Sequence, residues 1–191
     1  MKKIVLLAVL ALLGMTSCST YNNMVEKEEA VDTAWANVET QYQRRSDLIP
    51  NLVATVKGYA SHEQETLTQV TEARTKATSV NLSVDELTEE KLAEFQQAQN
   101  QVRSALGRLL AIAENYPDLK ASQQFQELQS QLEGTENRIA VAREKFNTVT
   151  REYNVAIRRF PANIFASIFG FDKKGYFDAA EGTDVAPTVA F

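Results

Sequence analysis

His62 is the only histidine in the 191-residue chain, and it stands in SHEQE beside Glu63 and close to Glu65. Histidine with carboxylates can hold a metal ion, provided the ligands fall at i and i+3 or i+4 and so share one helix face. Glu65, three residues on, meets that condition but brings the set to only two ligands. Position 66 is threonine, so no second histidine completes H-E-x-x-H. A third ligand would have to come from another helix, and no obvious donor stands out. His62 therefore reads as a surface histidine, with no metal expected. Nucleophilic chemistry has less support still: there is no G-x-S-x-G and no glycine-rich segment to cradle a phosphate. Gly58 and Gly107 fall inside predicted helices, where a glycine more often permits close packing. No cofactor and no enzymatic activity are expected.

The one cysteine, Cys18, closes the segment MKKIVLLAVLALLGMTSC. Lys2 and Lys3 form a positive start, and Ile4 to Leu13 is an unbroken apolar run. Ten helical residues rise about 15 Å, roughly half the hydrocarbon thickness of a bilayer. The run therefore suits a signal peptide better than a membrane span. With Thr16 and Ser17 before it, Cys18 resembles the cysteine of a bacterial lipobox; Met15 stands where leucine is usual. The resemblance implies cleavage after residue 17 and lipidation of Cys18. Two or more acyl chains on one residue would hold the protein stably at a membrane. Ser19 beside the cysteine resembles the outer-membrane sorting preference of Gram-negative lipoproteins, which favours the outer over the inner membrane. The mature domain is then left without a thiol, and its core must suffice without disulfides.

Charged residues in otherwise apolar stripes form the third group. Glu28, Arg45, Glu63 and Arg74 occupy slots that point towards neighbouring helices. A charge inside a packed bundle must be paired or lie near an end. Arg45, Glu63 and Arg74 are therefore the expected members of a buried ion network. The stretch RRSDLIPNLV, residues 44–53, separates two stripes. Asp47 can cap a following helix and Pro50 suits its first turn, so the segment reads as a helix–helix corner. A continuous helix kinked at Pro50 is the second reading of these residues. Arg44, Arg45, Asp47 and Asn51 make a candidate interaction surface there, since a corner alone does not demand two arginines.

The elements that would position these groups are legible from periodicity. Apolar residues recur at gaps of four and three, the a/d pattern of packed helices. The first stripe is Met24, Val31, Trp35, Val38 and Tyr42; the second is Ile49, Val53, Val56, Ala60, Leu67, Val70 and Ala77. Ser83 and Glu86 make a capping box ahead of the third stripe, Leu92, Phe95, Val102, Leu106, Leu109, Ala113 and Tyr116. Pro117 stops that helix and Asp118 is the expected N-cap of the fourth. The fourth stripe runs from Phe125 to Phe160, a helix of about 40 residues and about 60 Å. Short connections between four long helices predict an all-α, up-down-up-down antiparallel four-helix bundle. Beyond Pro161, ANIFASIFGF is densely apolar and is expected to fold back on the bundle end, with membrane contact as the alternative. The resulting divisions are a signal peptide at 1–17, a lipid-anchored linker at 18–23, the bundle at 24–171 and a tail at 172–191 lying extended on the surface or mobile.

Several quoted segments carry a family resemblance. YNNMVEKEEAVDTAWANVETQYQRRSDLIPNLVATVKGYASHE, VTEAR, ENYPDLK, FQELQSQLEGTENRIAVAREKFN, YN at 153–154, FPANIFASIFGF and YF together cover nearly the whole mature chain. On these the chain resembles LemA proteins, bacterial envelope proteins of largely unassigned role. The resemblance implies a four-helix bundle and brings no established enzymatic activity. Many relatives look like single-pass membrane proteins; here a lipid anchor is expected in place of the membrane helix.

The net charge of −5, with no basic cluster, argues against nucleic-acid binding. The expected function is a lipid-anchored, non-enzymatic scaffold that faces the periplasm and binds an envelope protein not identified by sequence. The alternatives are a membrane-organising module that touches lipid through FASIFGF and, last, a metal-dependent hydrolase around His62.

Overall fold

The computed structural model describes the backbone of residues 2–178 and the side chains of residues 19–178. The side chains of the leader and of Cys18, and all of residues 179–191, lie outside that range, and with them the expected cleavage and lipidation. Among the described residues every regular element is helical and there is no strand. The helices are α1 (Lys2–Tyr59), α2 (Gln64–Ser79), α3 (Glu89–Ala113), α4 (Pro117–Lys120), α5 (Gln123–Arg158) and α6 (Ala162–Phe169), with a 3-10 turn at Val84–Glu86.

Cross-helix contacts give the relative directions. Lys27 meets Glu152 and Arg45 meets Glu136, so α1 and α5 run antiparallel. After the turn at residues 60–63, α2 returns along α1, where Arg74 reaches Ser46. Tyr42 packs on Phe95 and Arg45 bonds Gln99, so α3, which packs beside α2, runs in the same direction as α1. The stripes face inward: Val31, Trp35, Val38, Val56, Val70, Leu92, Leu109 and Phe146 are all buried. Burial of each large apolar side chain contributes roughly 1.5–3 kcal/mol, most of it offset by chain entropy.

The expected corner at Pro50 is not there. α1 continues through Pro50 to Tyr59, and the chain turns at Ala60–Glu63 instead. A continuous apolar face explains this, because Tyr42, Ile49, Leu52, Val56 and Ala60 are all buried on both sides of the proline; Leu52 takes the buried place expected of Val53, which is only partly covered. Proline cannot donate to the carbonyl four residues earlier, which belongs to Ser46. The Arg74 Nε donates to that carbonyl at 3.0 Å, so a side chain from α2 replaces the missing backbone donor.

Two capping assignments also shift. The Glu86 carboxylate accepts from the Ser83 amide and hydroxyl, which holds it below its ordinary pKa, but this pair opens only the 3-10 turn. α3 starts later, and the Thr88 hydroxyl accepts from the Lys91 amide as its cap. Asp118 is not the cap of the long helix: it lies in the first turn of α4, which Pro117 begins. Ser122 precedes α5, whose 36 residues span about 54 Å. At the far end of α5, Ile157 is buried and Phe160 is 83% exposed, so the stripe ends before Phe160. Gly58 and Gly107 do not mark tight packing, since an added Cβ would meet nothing within 4 Å at either.

The interior divides into two apolar clusters. One gathers Met24 to Tyr42, the start of α3, the second half of α5 and α6. The other gathers Ile49 to Ala60, α2, the rest of α3, α4 and the first half of α5. Arg45, Gln99 and Thr135, all buried, form the polar layer between them.

The start of the C-terminal tail departs from a surface course. Residues 171–178 are extended, but Lys174, Gly175 and Phe177 are buried. The Phe177 ring lies among Trp35, Phe95 and Phe146, with centroids 6.0, 6.4 and 5.4 Å away. Asn154 and Asn147 each bond a backbone amide and a carbonyl of this strap, at Lys174 and at Phe177. Gly175 donates to the Leu87 carbonyl, and a Cβ there would stand 2.7 Å from the Glu89 nitrogen, so only glycine fits. The aromatic and side-chain contacts supply to an extended segment the partners that a strand would find in a sheet.

Candidate functional site

A cleft of about 780 Å3 opens where α1, α2 and α3 meet, at the level of the polar layer. Tyr42, Ile49, Phe95 and Val102 contribute its apolar lining, and Arg44, Arg45, Ser46, Asp47, Arg74, Asn81 and Gln99 its polar lining. The helical pitch explains the grouping, since residues 42, 45, 46 and 49 fall on one face of α1. The unbroken helix through Pro50 keeps that face continuous.

Arg45 is held at the inner wall. Its guanidinium donates to Glu136 Oε1 at 2.8 Å, to Gln99 Oε1 at 2.6 Å and to the Gln99 carbonyl at 3.1 Å. It also lies 5.1 Å from the centre of the Tyr42 ring. The Arg45 side chain is 3% exposed and Glu136 30%, so one partner is dry and the other touches water. Burial pushes the Tyr42 hydroxyl above its ordinary pKa. Glu39, on the same wall, is pushed up by burial as well.

The outer rim carries exposed Arg44 and Asp47, the latter accepting from Gln43 Nε2 at 2.7 Å. Arg74 is half-buried with its Nε on Ser46. The Ser46 hydroxyl is buried in this wall without a hydrogen-bond partner. The cleft thus offers arginine at its rim and an apolar floor.

The sequence candidates are only partly brought together. Arg44, Arg45, Asp47 and Arg74 all line the cleft. Asn51 is exposed outside it, and its carbonyl accepts from Thr55. Glu63 does not join the arginines: it accepts from the Tyr116 hydroxyl at 3.0 Å, which raises the tyrosine's pKa. Among the described residues no ion pair links Glu63 to Arg45 or Arg74. Glu136 and Gln99, the partners Arg45 does use, escaped the sequence reading. Gln99 fills the step between Phe95 and Val102 in the third stripe, and that polar interruption was its signal. Glu136 flanks the fourth stripe beside Thr135 and carried none.

The other expected positions fall elsewhere. His62 is exposed in the turn before α2 rather than within a helix, and Glu65 is exposed in the first turn of α2. Among the described residues no group of three or more histidine, cysteine or acidic side chains is placed to hold a metal ion. Glu28 is met by the strap: Lys174 Nζ lies 3.3 Å from its carboxylate, and the Tyr153 hydroxyl 3.4 Å. Burial, and then the Glu28 charge, drive the Tyr153 hydroxyl far above its ordinary pKa. Asp32 beside them is raised mainly by burial, against the pull of Lys174, and its Oδ1 is enclosed without a hydrogen bond.

The YN pair at 153–154 and the YF pair at 176–177 meet in this same region, with Asn154 Nδ2 donating to the Tyr176 hydroxyl at 2.9 Å. Segments far apart in sequence are joined by the fold. The LemA family profile matches residues 34–191, which includes α1 from Ala34 onward, α2 to α6 and the strap. The chain belongs to the LemA family. Magnetosome protein MamQ 2 of Paramagnetospirillum magneticum is 28% identical over 195 residues, 93% of this chain and 71% of the relative. Magnetosome protein MamQ of Magnetospirillum gryphiswaldense is 29% identical over 190 residues, 90% of this chain and 70% of the relative. Protein LemA of Metamycoplasma hominis is 25% identical over 160 residues, 84% and 69% respectively. None of the three names states a reaction.

Proposed function

We propose that the protein is a non-enzymatic helical scaffold, an up-down-up-down four-helix bundle tethered to a membrane at its N-terminal end, which holds a partner protein in the cleft around Arg44 and Arg74. The observation that carries the reading is the continuity of α1 from the leader through the cleft wall to Tyr59. One helix then serves as both stalk and binding wall. From Cys18 to Arg44 it rises about 39 Å, so the cleft stands well clear of a bilayer that holds residue 18. The lipobox-like leader supports a lipid tether at Cys18 in a bacterial envelope, with the cleft facing the periplasm. Antiparallel contacts between α1 and α5 and between α1 and α2 support the bundle order.

The cleft chemistry favours an extended protein segment that brings an acidic side chain to the arginine rim and an apolar one to the floor. Arg44 is exposed and belongs to no ion pair among the described residues, so its charge is available to a partner. The test couples fractionation with capture. Cys18→Ala should move the chain out of the membrane fraction, and Arg44→Glu should abolish recovery of one crosslinked partner without changing the melting curve. A chain that stays with membranes after Cys18→Ala, or a partner recovered equally by the Arg44 variant, refutes the corresponding half.

A further inference from the structure

Among the described residues, large exposed apolar side chains gather on α6 and at Phe160, two residues before it. Phe160 is 83% exposed, Ile168 67%, Phe169 57% and Ile164 49%. The inner face of the same helix is occupied, since Ala166 is buried and Ala162 and Phe165 pack against the core. The helix is therefore folded back on the body, as expected, and still presents a second apolar face outward. Three large apolar side chains on one eight-residue helix, with Phe160 just before it, are more than the scattered exposure normal for a protein surface.

Where this face lies decides what covers it. The Tyr21 ring packs edge-on against Phe169 at 5.0 Å and Phe171 at 5.7 Å. Tyr21 is three residues beyond Cys18 on a continuous helix, an axial rise of about 4.5 Å. The patch thus sits at the end of the molecule that carries Cys18. Arg158 and Arg159, both exposed, immediately precede Phe160. Aromatic and aliphatic side chains flanked by arginine match the boundary between acyl chains and anionic headgroups.

We infer that the outer face of α6, with Phe160, rests in the headgroup–acyl boundary of the bilayer that holds the N-terminal tether, with Arg158 and Arg159 on lipid phosphates. This rests on the tether reading and adds a second point of attachment. Two contacts at one end, locked together by Tyr21, fix the tilt of the molecule and aim the cleft; a single flexible tether would do neither. The lipid surface is preferred over a second copy of the chain because the N-terminal segment brings a bilayer to this end.

The experiment uses the full chain, purified from membranes and reconstituted into vesicles of phosphatidylcholine and phosphatidylglycerol with brominated acyl chains. Phe169→Trp places an indole on the patch at an exposed position, and the parent, whose Trp35 is buried, supplies the background. The introduced indole is expected to lose about half of its emission to bromine in the upper acyl region and to be shielded from aqueous iodide, as for a face lying in the boundary. Protein that floats with vesicles while its indole is quenched by iodide and not by bromine overturns the α6 contact and leaves the tether intact. Shielding from both quenchers means another protein surface covers the patch, which also overturns it. Failure to float at all refutes the tether, and with it this inference.

Discussion

Pro50 and Arg74 should be energetically coupled although they lie on different helices. Pro50 deprives the Ser46 carbonyl of its helical donor, and the Arg74 Nε supplies the replacement at 3.0 Å. Arg74→Met keeps most of the aliphatic stem but removes the donor from a carbonyl whose residue is buried. A hydrogen bond from a charged donor contributes about 1.5–3 kcal/mol, so the variant should lose about that much. Pro50→Ala restores a backbone donor. The intrinsic cost of proline in a helix, about 3 kcal/mol, is already reduced here by the Arg74 bond and by proline's stiffening of the unfolded chain. Pro50→Ala alone should therefore stabilise by roughly 1–2 kcal/mol. In the Pro50→Ala background Arg74→Met should cost less than about 1 kcal/mol, giving a coupling of about 0.5 kcal/mol or more. Urea unfolding followed by helical circular dichroism measures all four corners of the cycle. An identical Arg74→Met cost with and without proline would refute the compensation and leave the arginine's position unexplained.

Other outcomes follow from the same packing. Arg45→Ala should cost about 3 kcal/mol, the lower end for a broken buried pair because Glu136 still reaches water, and should lower Tm by roughly 6–12 °C. Gly175→Ala forces a Cβ against the α3 backbone and should cost about 2–3 kcal/mol, with earlier tryptic cleavage near Lys173 and Lys174 as the local readout. Asp32 titrates in the opposite sense from a salt-bridged carboxylate. Its folded pKa lies above the ordinary 3.8, so the stability it contributes is complete below that value and is lost as pH rises through the folded pKa. Asp32→Asn should therefore melt higher than the parent at pH 7, with the gap closing towards pH 4; a gap that widens on acidification would contradict the burial argument.

The helical class and most of the core were legible because the stripes repeat at helical spacing, and most stripe residues from Met24 to Val149 are buried, with Val53, Tyr116 and Ala142 only partly so. What periodicity could not supply was where one helix gives way to another. Pro50 and Asp47 have the chemistry of a helix start, yet the apolar face of α1 continues past them and an arginine from α2 satisfies the orphaned carbonyl. The real turn at Ala60–Glu63 has no proline or glycine to announce it. Charged slots showed that Arg45, Arg74 and Glu28 need partners but not which ones. Glu136, Ser46 and Lys174 are separated from them in sequence and are brought near only by α5, α2 and the strap. The strap itself was hidden because Lys174, Gly175 and Tyr176 have a loop composition. Its burial comes from asparagines on α5 that bond its backbone and from an aromatic pocket completed by three helices.

The proposed tethered scaffold requires a partner in its cleft. Site-specific photocrosslinking in intact cells tests it most directly, with a photoreactive residue replacing Arg44 at the cleft rim or Val141, which is 66% exposed on α5 and outside the cleft. One discrete adduct is expected from position 44, in the membrane fraction, and none of that mass from position 141. No adduct at position 44, or the same adducts from both positions, would contradict it.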